Sequence, residues 1–121
     1  MQIETITRRG IPIAAVYAPQ PLLTDLPSAL DLMMTVRYQT GCSRIAINQK
    51  ALAEAFFLLH TRLAGEVLQK FVNYGMKLAI YGDFSPYSGS MQAFIRESNR
   101  GRDVFFLRNR EEAVARLTEV R

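Results

Sequence analysis

Apolar positions along this chain switch between the spacing of strands and the spacing of helices. Residues 2–7 are rich in Ile and Thr and read as a first strand. Arg9-Gly10 is a turn signal, and Ile11–Tyr17 is a second, more apolar strand. So short a connection predicts antiparallel pairing. Pro12 falls near the start of the second strand, where a missing donor is tolerated.

Pro19 and Pro21 then break the chain, and Thr24 or Asp25 can cap a helix with Pro27 in its first turn. Leu26, Leu30, Met33 and Val36 lie three or four apart and form one apolar face, which Gly41 terminates. Residues 44–47, Arg-Ile-Ala-Ile, form a short third strand, and Asn48 starts the next connection. Residues 52–58 are apolar at nearly every position and read as a short helical turn. Leu63, Val67, Leu68 and Phe71 share the face of a second helix, closed by Tyr74-Gly75. Residues 76–81 are a fourth strand ending in Gly82-Asp83, followed by a Ser/Pro/Gly-rich loop over 85–90. Met91, Phe94 and Ile95 mark a third helix that Gly101 stops, and Val104–Leu107 is a fifth strand. Asn109 with Glu112 is a variant of the capping box and opens a last helix with Val114 and Leu117 inward.

The order is β-β-α-β-α-β-α-β-α. Strands alternating with helices imply right-handed crossovers and a parallel sheet. The later strands are apolar runs, as burial on both faces requires. The expected fold is therefore α/β, a mostly parallel five-stranded sheet with the first strand antiparallel, flanked by helices.

Length limits this to one domain. At 121 residues and 13.7 kDa, a folded chain exposes about 6,600 Å² of an extended surface of about 20,000 Å². Residues 1–121 are thus expected to form a single domain with one core. Hydrophobic residues are 49% and charged residues 21%, a globular rather than a disordered composition. One Cys and one His exclude an internal disulfide framework and a Cys/His zinc site.

Fifteen Lys and Arg against eleven Asp and Glu give a net charge of +4. The densest basic stretch holds Arg96, Arg100, Arg102, Arg108 and Arg110, but Glu97, Asp103, Glu111 and Glu112 dilute it. A nucleic-acid partner calls for a stripe of one sign, so a solvated mixed-charge face is the better reading. The N-terminus has no basic segment followed by a long apolar run and is not read as a signal peptide. No stretch approaches the about 18 apolar residues of a membrane span. A free Cys without an export signal fits a reducing cytoplasm.

The segment Leu63-Ala64-Gly65-Glu66-Val67-Leu68-Gln69-Lys70-Phe71 carries a resemblance, together with Lys77-Leu78-Ala79-Ile80-Tyr81-Gly82-Asp83-Phe84-Ser85 and Glu97-Ser98-Asn99-Arg100-Gly101. It resembles a small bacterial family known as a domain of unknown function, over nearly the whole chain. That resemblance implies no activity. In layout, the order of elements also resembles the STAS-like domains of anti-sigma-factor antagonists. Those domains carry a phosphorylatable Ser or Thr at the start of the helix after the third strand, often within Asp-Ser-x-Gly. Here the region reads His60-Thr61-Arg62-Leu63-Ala64-Gly65, and Thr61 matches the phosphoacceptor. No acidic residue precedes Thr61, the glycine comes later, and Arg62 replaces a small residue.

In an open parallel sheet, ligands bind beyond the carboxyl ends of the strands, near a switch point. Those ends here are 18–24, 48–49, 82–85 and 108–109. Asp83, after Gly82, either binds a cation, hydroxyl or partner Arg, or closes an Asx turn on local amides. Thr61 either meets a phosphate, with Arg62 adjacent and free helix amides nearby, or caps the helix with its hydroxyl. His60, the lone His, lacks a motif partner for base catalysis and reads better as a partly buried polar residue at a helix start. Cys42 is either a reactive thiol or an inert buried one. Arg100, Arg102 and Arg108 with Asn99 could clamp an anion, but the strand between them spans about 13 Å, too far for one ligand. Of Phe56-Phe57-Leu58-Leu59, either some members cover the sheet edge and some meet a second subunit as a homodimer patch, or the run is a helix buried on two sides.

No Gly-rich phosphate loop, HExxH or G-x-S-x-G is present. The leading expectation is a STAS-like regulatory or protein-binding module acting on a protein partner or on itself as a homodimer. It needs no metal and no cofactor. Its candidate residues are Thr61 with His60 and Arg62, and Asp83 with Phe84 and Ser85. The alternative is a small-molecule site, with or without catalysis, in a pocket holding Asn48, Asp83 and Ser85.

Overall fold

Arg9 and Gly10 both adopt left-handed backbone, at φ 54° and 76°. A two-residue turn of the primed type needs that geometry, and its twist matches the flanking strands. In this computed structural model, which describes residues 1–120, the turn joins β1 (Gln2–Arg8) to β2 (Ile11–Tyr17). They pair antiparallel from Arg8↔Ile11 to Gln2↔Tyr17.

Asp25 rather than Thr24 caps α1 (Leu26–Thr40). Its carboxylate accepts from the Ser28 N–H at 2.9 Å, and the Ser28 hydroxyl accepts from the Asp25 N–H at 3.0 Å. Both orphan donors are thereby satisfied. Gly41 ends the helix at φ 72°, a conformation its missing Cβ allows. The remaining elements are β3 (Arg44–Asn48), α2 (Leu63–Asn73), β4 (Lys77–Tyr81), α3 (Gly89–Arg100), β5 (Val104–Leu107) and α4 (Arg110–Glu119). Between β3 and α2, the expected single helical turn over 52–58 is instead three 3₁₀ turns, Gln49–Ala51, Glu54–Phe57 and Leu59–Thr61. An apolar run this dense cannot point to one core from one helix, and short turns let Phe56 and Phe57 both go inward.

Among the described residues, the five strands lie in the order β1-β2-β3-β4-β5, antiparallel at the first pair and parallel thereafter. The chain therefore never reverses direction across the sheet. The switch point near which the ligand site was expected does not exist in this topology. Right-handed crossovers running one way put α1, α2 and α3 on the same face. Ile45, Ile47, Leu78, Ile80, Val104 and Phe106 meet them there in the larger core. The alternate residues Ala46, Ala79 and Phe105 face the other way and pack with Ala113, Val114 and Leu117 of α4. Two alanines at the sheet centre let that helix approach closely.

The ends of α4 are tied to the sheet side. Asn109 caps its start by accepting from the Glu112 N–H at 2.9 Å. The Glu112 side chain does not complete the box; it turns to Arg108 at 2.9 Å. The Arg44 guanidinium donates to the carbonyls of Leu117 and Val120, satisfying acceptors left open at the helix end. No helix among the described residues is long and apolar enough to cross a membrane.

Candidate functional site

The carboxyl ends of β2, β3 and β4 are joined by two amide side chains adjacent in sequence. Asn48, 7% exposed, accepts from the Ala18 N–H at 3.0 Å and donates to the Ala18 carbonyl at 2.6 Å. Its amide thus acts as one more rung between β2 and β3. Gln49 points the other way. Its Oε1 accepts from the Asp83 N–H at 2.8 Å, and its Nε2 donates to the Tyr87 hydroxyl at 2.6 Å. Gly82 has no Cβ, and that makes room for the Gln49 side chain; a Cβ there would stand 2.6 Å from that of Gln49.

Asp83 closes a local turn. Its Oδ1 accepts from the Ser85 hydroxyl at 2.7 Å and from the Ser85 N–H at 3.0 Å. These bonds, the hydroxyl first, hold the carboxyl below the usual carboxylate range. Phe84 turns inward, against Phe57 at 5.9 Å and edge-on to Phe106 at 5.4 Å between ring centroids. Phe57 stacks flat on Tyr87 at 4.6 Å. Offset and edge-on contacts of this kind add directional stability to apolar burial. The ring cluster continues through Phe56 and Phe94, both against Phe106.

Thr61 lies on a different segment. It ends the third 3₁₀ turn, and Arg62, with left-handed backbone at φ 66°, occupies the cap position of α2 without a side-chain bond. The Thr61 hydroxyl donates to the carbonyls of Ala55 at 2.6 Å and Leu58 at 2.8 Å, and accepts from the Leu63 N–H at 3.3 Å. One side chain therefore gathers the second and third 3₁₀ turns to the start of α2. His60 and Arg62 on either side are exposed, while Phe56 and Phe57 are buried and Leu58 is 40% exposed.

The structure thus brings together Asp83, Phe84 and Ser85, and links them through Gln49 to the end of β3. It does not bring the amide of Asn48 into that group, because both its polar atoms serve Ala18. A cleft of about 330 Å³ opens beside them, lined by Gln49, Lys50, Leu52, Glu54, Phe57 and Tyr87. Sequence reasoning placed Gln49 at a strand end without a role, and missed Tyr87. A Gln after a strand and a Tyr in a polar loop carry no local signal, and their importance lies in a contact between residues 38 apart. Asn99 serves the backbone of Phe106 at 2.7 and 3.1 Å rather than an anion. Cys42 is fully buried. No group of three or more metal-ligating side chains occurs among the described residues.

Neither a curated protein nor a solved structure matches the chain. A family model described as a domain of unknown function (DUF4180) matches residues 8–117. That match spans nearly the whole chain, and the protein belongs to this family.

Proposed function

We propose that this domain is a protein-binding module with a STAS-like layout, which works by presenting the loops beyond the carboxyl ends of β3 and β4 to a protein partner. The observation that supports this reading is the Gln49 bridge. It ties the segment leaving β3 to the loop leaving β4, so the surface is built before any partner arrives. A preformed surface saves the ordering entropy that binding otherwise costs. Around the cleft it offers an apolar floor from Leu52, Phe57 and Tyr87 with Lys50 and Glu54 at its rim. Leu58 projects as an exposed apolar side chain in the same stretch of chain.

Thr61 supplies a mechanism for regulation. Its hydroxyl proton is donated into two carbonyls of the turns that carry Leu58. A phosphate on that oxygen cannot donate, and its charge is repelled by the same carbonyls. Phosphorylation would therefore release the turns and reshape the docking surface. Thr61→Glu should weaken partner binding more than Thr61→Ala does, measured by capture of the partner with each variant and by titration of the purified pair. Equal affinity for the two would sink the switch.

The cleft also supports a second reading, a small-molecule ligand held between Gln49, Lys50 and Glu54. A ligand there should raise the melting temperature of the wild type and leave Glu54→Ala or Lys50→Ala unshifted. A ligand that stabilises these variants equally binds elsewhere.

A further inference from the structure

The two outer strands of the sheet are finished differently. On β5 the outward backbone groups of Phe106 are occupied by the Asn99 side chain. On β1, among the described residues, the only strand partner is β2. The two-residue turn makes Arg8↔Ile11 the closing hydrogen-bonded pair. Gln2, Glu4, Ile6 and Arg8 therefore spend their backbone groups on β2, and Ile3, Thr5 and Thr7 turn theirs outward. An open edge of this kind templates a further strand.

The side chains of β1 indicate which strand. We propose that β1 pairs antiparallel with β1 of a second copy of this chain, about a two-fold axis through Ile6. In that register Glu4 faces Arg8 of the second copy, and by symmetry Arg8 faces Glu4. Thr5 faces Thr7, and Ile6 meets its own equivalent. Opposite charges and Thr–Thr pairs facing across strands are stabilising, and like charges are not. An axis through Glu4 would set the two Glu4 carboxylates against each other. An axis through Thr5 would set Glu4 against Ile6. Of the three registers, the one centred on Ile6 alone matches the charges.

The surroundings fit that arrangement. Ile6 lies in a non-hydrogen-bonded position of the new ladder, where facing Cα atoms approach to about 4.5 Å. It is half-buried and packs on the core beneath α4. On that face a cleft of about 380 Å³ runs between β1 and α4, lined by Glu4, Ile6, Arg8, Arg110, Glu111 and Val114. The two-fold axis sets two such clefts side by side over the Ile6 pair. Glu4 already accepts from Arg110 on one oxygen, at 2.8 Å, and its second oxygen is left for Arg8 of the second copy. None of the loop residues of the proposed partner surface takes part, so the two readings stand or fall separately.

The test is the mass in solution over a dilution series, read by light scattering after gel filtration. Wild-type protein should have twice the monomer mass. Glu4→Arg should weaken the dimer by at least about tenfold, because it turns two attractive pairs into two repulsive ones. Adding Arg8→Glu should restore part of it, because the charges facing across the two strands are then exchanged, while the bond from Arg110 to Glu4 stays lost. Ile6→Cys should yield a disulfide-linked dimer on mild oxidation, and Thr5→Cys should not; Cys42 is buried and leaves this readout clean. Circular dichroism confirms that each variant is folded. A wild type that stays monomeric, a dimer indifferent to Glu4→Arg, or an Ile6→Cys protein that does not cross-link overturns the proposal.

Discussion

Gln49 accepts a hydrogen bond from the backbone N–H of Asp83 at 2.8 Å, and it can do so because residue 82 has no side chain. The bond couples the ends of two neighbouring parallel strands outside the sheet itself. Gly82→Ala would place a Cβ at 2.6 Å from the Gln49 Cβ, closer than real atoms approach. The loop must then shift, at a cost of about 1–3 kcal/mol. Gln49→Ala in that background should restore only part of the loss, because it removes the amide but keeps the offending Cβ. Chemical denaturation of the two single variants and the double variant measures this coupling.

Asn48 makes a different kind of link. Its amide satisfies both the N–H and the C=O of Ala18, and all three groups are buried. Asn48→Ala removes two bonds and strands two backbone groups, so it should cost about 2–4 kcal/mol. Asn48→Asp keeps the acceptor and loses the donor at neutral pH. It should recover part of its stability in mild acid, where a protonated carboxyl can donate again. A denaturation midpoint for Asn48→Asp that does not rise between neutral and mildly acidic pH would contradict this reading of the contact.

Three exposed carboxylates contribute to the acid limb of stability. Asp25 is held low chiefly by the Ser28 N–H, Asp83 chiefly by the Ser85 hydroxyl, and Glu112 chiefly by Arg108. Each is depressed in the folded chain, so the unfolded chain binds protons first. Their stabilisation is complete above the ordinary carboxylate range, from about pH 5 upward, and is lost as pH falls from there through the depressed values. Replacing Asp25, Asp83 and Glu112 by their amides should flatten the dependence of the denaturation midpoint on pH below that point. An unchanged slope would assign acid unfolding to other groups.

The hydroxyl of Thr61 is a structural donor before it is anything else. Thr61→Val keeps the shape and removes the bonds to Ala55 and Leu58, and should cost about 1–2 kcal/mol. Thr61→Ser should cost much less. Hydrogen exchange in the variant should quicken at the amides of Leu58 and Arg62, which close these 3₁₀ turns. Loss of stability without faster exchange there would place the effect elsewhere.

Much of this fold is written in local sequence. Arg9-Gly10 marks a tight turn, Thr24 or Asp25 a helix start and Gly41 a helix end, because each acts through backbone geometry within a few residues. The alternation of Ile-Ala-Ile and Leu-Ala-Ile in the central strands even separates the face covered by three helices from the face covered by α4. The strand order is not local, and neither is the absence of a switch point. Both depend on which crossover lands beside which strand. The candidate site divides in the same way. The turn of Asp83 on Ser85 was legible because its partners are two residues apart. The roles of Asn48, Gln49 and Asn99 were not. A side-chain amide bonds equally well to water, ligand or backbone, and only the tertiary structure decides which backbone stands within 3 Å of it.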